Sequence, residues 1–83
     1  MDAENTVLLD QLRIGQPARI WKLELGPMAA QRLMEMGLTV GAEVRILRRA
    51  PLKYPVVVQA RGSQLSLRKS VAKAIRVTVS EGG

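Results

Sequence analysis

The chain reads as a mainly β protein: a small β-barrel of about five short strands, with one capped α-helix over about residues 27–36 and a short helical turn near residues 70–74. Three observations predict this. Short alternations of apolar and polar residues recur along the chain, as strands with one buried face require. Only the stretch Leu25 to Val44 carries a helical pattern with both a start and a stop signal. Finally, strands this short in a chain of 83 residues are most stable when the sheet curls and leaves little open edge. One domain over residues 1–83 is expected, ordered from about 7 to 80, because this length supports a single small core.

The elements follow in order. Residues 1 to 6 are expected to fray, and V-L-L-D-Q-L then brings Leu8, Leu9 and Leu12 together as a turn or partial helix laid over one end of the core. After the turn at Gly15 and Pro17, A-R-I-W-K-L is a first strand whose two faces are not cleanly separated. Pro27 suits the first helical position, since its missing N–H would have no intrahelical partner there. Ala29, Leu33 and Met36 fall on one face, and Gly37 stops the helix in a left-handed ending that lets Leu38 fold back onto Leu33. Glu43 to Arg49 is a second strand with Val44 and Ile46 on one face and Arg45 on the other. Pro51 and Pro55 exclude Ala50 to Pro55 from a sheet interior, making this a loop. Val56, Val58 and Ala60 then alternate inward, Arg61-Gly62-Ser63 turns the chain, and Leu65 and Leu67 return it as a hairpin. Ser70 is placed to cap one helical turn, and Ile75, Val77 and Val79 form the inner face of the last strand before a tail from Ser80.

Charge narrows the partners. The formal net charge is +6, and its distribution is uneven. Between Val44 and Ser80 stand Arg45, Arg48, Arg49, Lys53, Arg61, Arg68, Lys69, Lys73 and Arg76, with no acidic residue among them. Such asymmetry suits an anionic partner: a nucleic acid, a lipid surface or an acidic protein face. No apolar run approaches the length of a membrane span, and the opening M-D-A-E-N is acidic where a secretory signal is basic, so a cytoplasmic protein is expected.

Catalysis has little to stand on. The chain has no His and no Cys, which removes the commonest general base, any disulfide and the usual soft metal ligands. Lys69 and Ser70 are neighbours, but a serine opening a helical turn reads first as a cap. Glu24, Glu35 and Glu43 show no spacing of a paired acid and base or of a hard-metal cage, and no phosphate-binding glycine loop is present. Met28, Met34 and Met36 could in principle hold a soft metal; on one helix they read instead as core and docking surface. No enzymatic activity, cofactor or metal site is therefore expected. A basic nucleic-acid-binding barrel is the alternative, although only Trp21 and Tyr54 could stack on bases.

With those residues in place, the chain resembles the FeoA family, the small accessory proteins of the ferrous iron transporter FeoB. The likeness runs from about Leu9 to Val79. It rests on L-x-x-L-x-x-G at Leu9, Leu12 and Gly15, and on R-L-M-E-M-G-L-T-V-G from Arg32 to Gly41. Ala50, Pro51 and Pro55, and then L-S-L-R-x-x-x-A-x-x-I from Leu65 through Ala72 to Ile75, complete it. The resemblance implies a barrel similar to Src-homology-3 (SH3) domains that binds protein. It also implies a partner, the cytoplasmic domain of FeoB, with recruitment to the inner membrane through that transporter. The chain departs from the family at Lys53-Tyr54, where Gly-Asp often precedes the second proline. Partner-binding candidates are the helix edge at Met28, Arg32 and Met34, the strand positions Arg48 and Arg49, and the loop residues Lys53 and Tyr54.

Overall fold

The structure is a computed structural model and describes residues 6–79. It is an antiparallel sheet of six strands with two helices. In chain order these are β1 (Thr6–Leu8), a 3-10 turn (Leu9–Gln11), β2 (Ala18–Leu23), α1 (Pro27–Glu35), β3 (Glu43–Arg49), β4 (Val56–Ala60), β5 (Ser63–Leu67), α2 (Lys69–Ala72) and β6 (Ile75–Val79). The strands are ordered β1-β6-β2-β3-β4-β5, so β1 and β5 end the sheet. β2 is shared by its two halves: Ala18 pairs with Val44 of β3 on one side and with Val79 of β6 on the other.

The extra strand relative to the expected five is β1. Thr6, Val7 and Leu8 pair with Thr78, Val77 and Arg76, and only Leu9–Gln11 makes the helical turn expected of this whole stretch. The preceding residues and the tail from Ser80 lie outside the described residues. Leu12 to Gly15 then cross to β3, where Ile14 bridges Ile46 and the Gly15 N–H donates to the Ile46 carbonyl at 2.8 Å.

Two bulges explain where strand alternation fails. In β2 the register shifts between Ile20 and Lys22, so Trp21 is the extra residue and is exposed. Ala18 and Ile20 face the core before the bulge and Leu23 packs on it afterwards, which is why the two faces of this strand are mixed in sequence. In β3 the register shifts between Ile46 and Arg48, and it is Arg49 rather than Arg48 that becomes half-buried.

The core is wholly aliphatic, with Leu9, Ile20, Leu38, Val44, Ile46 and Val77 among its fully buried side chains. No polar or charged residue among those described belongs to the buried class. α1 ends as its sequence predicts. Gly37, at φ +105, donates to the Met34 carbonyl at 3.1 Å and Leu38 donates to the Leu33 carbonyl at 2.9 Å, the two hydrogen bonds of a Schellman ending. The expected apolar face is narrower than its spacing suggests: Leu33 is the one buried residue of α1, while Ala29 and Met36 are exposed. The cap of α2 stands two residues earlier than expected, at Arg68; Ser70 lies inside the helix Lys69–Ala72 and is not its cap.

Candidate docking surface

A helix that buries only Leu33 leaves most of its apolar side chains facing outward. α1 stands beside β5 and α2, and the space between them is an open groove rather than a filled interface. On one side Leu25, Met28, Ala29, Arg32, Met36 and Val71 line it. On the other it runs along β5, past Leu65 and Leu67, as a hollow of about 590 Å³. Leu33, Met36, Arg68 and Val71 belong to both parts, so the two form one continuous apolar surface. Met28 is 74% exposed and Met36 47%, an unusual amount of flexible apolar surface for one short helix. Arg32 and Arg68 belong to its lining and, among the described residues, no carboxylate does.

A second, polar feature lies around Asp10 in the 3-10 turn. Its side chain is only 5% exposed and is held by cations and a hydroxyl from distant parts of the chain. Lys73 Nζ stands 3.0 Å from Oδ2, and the Tyr54 hydroxyl donates a hydrogen bond to the same oxygen. Arg49 donates to the backbone carbonyls of Asp10 and Leu12 at 2.7 and 2.8 Å. Burial disfavours the charged carboxylate, but the Tyr54 hydroxyl, the Lys73 ammonium and the Arg49 guanidinium outweigh it, so Asp10 titrates below the usual carboxylate range. The same contacts act in reverse on the partners. The hydrogen bond to Asp10 raises the Tyr54 phenol above its ordinary value and also raises the Lys73 ammonium. Asp10 Oδ1 is buried without a hydrogen-bond partner among the described residues.

The sequence-derived candidates therefore separate. Met28 and Arg32 come together on the groove. Arg49, Lys53 and Tyr54 gather at the polar feature, where Arg49 and Tyr54 tie the 3-10 turn to β3 and the β3–β4 loop. Met34 and Arg48 are exposed and lie on neither. Lys53, where a glycine is common in the resembled family, has φ +84, and the Tyr54–Pro55 bond is cis. Sequence reasoning did not single out Leu25, Arg68 or Val71 as surface residues, nor Asp10 and Lys73 as a pair, and its helical spacing put Met36 on the buried face. Leu25 and Val71 stand outside any periodic face, and a pair separated by 63 positions leaves no local signal.

Chemically this surface can bind but offers little for catalysis. Among the described residues no three carboxylates gather as a metal site, and no helix is long and apolar enough to cross a membrane. The groove supplies apolar contact area, adaptable methionines and unopposed cations, the ingredients of a protein interface.

Comparison with known proteins agrees with the sequence-level likeness. The FeoA domain model matches residues 7–79. A Methanocaldococcus jannaschii protein provisionally named Fe(2+) transport protein A is 29% identical over 69 residues, covering 83% of this chain and 82% of its own. The solution structure of the FeoA protein from Chlorobium tepidum superposes with a TM-score of 0.86 at 34% identity, over 93% of this chain and 73% of that one. The zinc-complexed FeoA of Stenotrophomonas maltophilia, described as a procaryotic SH3 domain protein, superposes with a TM-score of 0.70 at 31% identity, over 86% of this chain and 88% of that one. A manganese-dependent transcriptional repressor shares the fold, at 18% identity.

Proposed function

The chain belongs to the FeoA family, and on that premise we propose that it is a non-enzymatic adaptor that regulates ferrous iron uptake by binding the cytoplasmic part of the FeoB transporter. The observation that carries this reading is the groove of α1, β5 and α2: a continuous apolar surface lined, among the described residues, by two arginines and no carboxylate. Apolar area drives association by leaving water, while the arginines select an acidic partner face and orient it. Met28 and Arg32 are the contacts offered by the helix, and Arg48 and Lys53 are outlying basic contacts. Arg49 and Tyr54 hold the separate Asp10 cluster together, and Met34 is an exposed contact away from the groove.

An adaptor of this kind changes its partner only by binding one state more tightly than another. The test is calorimetry of this protein with the purified cytoplasmic domain of its cognate transporter at physiological salt, with and without guanine nucleotide. Duplex DNA runs beside it as a control. Saturable binding to the domain and not to DNA is expected, weakened by Met28→Ala and by Arg32→Glu. Salt-sensitive binding to DNA with none to the domain would replace this reading with that of a basic nucleic-acid-binding barrel.

A further inference from the structure

β5 is an end strand that lacks the usual protections of an exposed edge. Proteins commonly blunt such edges with Pro, charge, bulges or brevity. β5 is S-Q-L-S-L, without proline or charge, and its pairing with β4 runs unbroken from Ser63 to Leu67. The opposite end strand, β1, has three described residues, Thr6–Leu8, and turns at once into the 3-10 helix. The two-residue turn at Arg61 and Gly62 makes Ala60 and Ser63 the first hydrogen-bonded pair. Alternation then puts Leu65 and Leu67 in bonded pairs with β4 and turns the backbone groups of Gln64 and Ser66 outward, along the free edge.

The groove lies beside that edge. Leu65 and Leu67 face it from β5, and Leu33, Met36 and Val71 line its far side. Arg32 and Arg68 make no ion pair among the described residues, whereas Arg45, Lys73 and Arg76 are each matched to a carboxylate.

We propose that the free edge of β5 takes an extended, acidic segment of a partner protein as a seventh strand, with alternate apolar side chains of that segment seated in the groove beside α1. The backbone of Gln64 and Ser66 supplies the ladder. Every second residue of the added strand falls on the groove side, about 7 Å apart, which suits a row of small or branched apolar side chains. Arg32 and Arg68 attract carboxylates in or next to the segment. A docked amphipathic helix would use the apolar surface but leave the β5 edge open, and this difference makes the modes separable.

The inference rests on the reading of this face as the docking surface, and its experiment keeps the two apart. Amide hydrogen exchange by NMR is followed on the labelled full chain with two probes. One is the purified cytoplasmic domain of the transporter. The other is a blocked synthetic peptide of alternating valine and glutamate, with a valine–lysine peptide as control. Strand addition predicts that the glutamate peptide slows exchange at Gln64 and Ser66, that the lysine peptide does not, and that the domain does so if it docks. Ser66→Pro removes an outward N–H that the fold does not use, and is expected to weaken binding about tenfold or more. Arg68→Glu, which leaves the backbone intact, is expected to reverse the preference between the peptides. Domain binding without slowed exchange at Gln64 and Ser66 would overturn strand addition while leaving the docking function standing. Absence of domain binding would count against the docking function, and the peptides alone would then decide. No effect of the glutamate peptide at up to about 1 mM overturns strand addition in that case.

Discussion

At the scale of single residues, Asp10 is the group on which most depends. A carboxylate with a nearly buried side chain is costly to charge, and the folded state keeps it charged by bringing Tyr54, Lys73 and Arg49 to it from three other segments. Its acidity is greater in the folded state than in the unfolded one. The stabilisation is therefore fully present above the unfolded carboxylate range, near pH 4, and is lost as pH falls through the lower folded value. Asp10→Asn is expected to lower stability by about 1–3 kcal/mol at neutral pH and to flatten the loss on acidification, read by denaturant unfolding from pH 7 down to pH 2. Lys73 and Tyr54 shift the other way, so their contribution fades only as pH rises through their raised folded values. Lys53 adds a local cost of its own, since φ +84 is a conformation that a side chain disfavours.

At the scale of elements, α1 is held by its ends and by one anchor. Leu33 is its only buried side chain, and its C-terminus turns on Gly37 against the β4–β5 hairpin. A Cβ at Gly37 would lie 3.4 Å from the Ala60 carbonyl oxygen and would have to adopt φ +105. Gly37→Ala is therefore expected to cost about 1–2 kcal/mol in thermal or denaturant unfolding, with the loss of exchange protection concentrated at the end of α1. The helix was legible in sequence because its signals are local: a proline to start, a glycine to stop and an apolar spacing between them. Its exposed face was not. Ala29 and Met36 have the spacing of buried residues, and only the distance between α1 and the α2–β5 wall decides that they line an open groove. Arg49 shows the same limit, because strict alternation would send Arg48 inward with Val44 and Ile46, and the bulge in β3 reverses that choice.

At the scale of the whole molecule, charge and apolar surface act together. Lys73 is spent on Asp10, Arg49 on carbonyl oxygens, and Arg45 and Arg76 on exposed glutamates. Among the described residues Arg32 and Arg68 make no ion pair, and they are the cations that line the groove. Docking on this face is expected to weaken several-fold as salt rises from about 50 to 500 mM, chiefly by slower association, because exposed charges steer encounters and are screened beyond a Debye length. A purely apolar interface would hold or tighten over that range, and calorimetry or surface-binding kinetics separates the two. Fold class, hairpin, capped helix, family and the direction of the charge can all be read along the chain, because each is written in neighbouring residues or in totals. That Thr6–Leu8 is a strand, that Asp10 binds Lys73 and Tyr54, and that β5 ends the described sheet beside a groove follow from the folded chain alone. Those outcomes depend on which segments meet across long separations, and side-chain periodicity carries no record of a partner that far away.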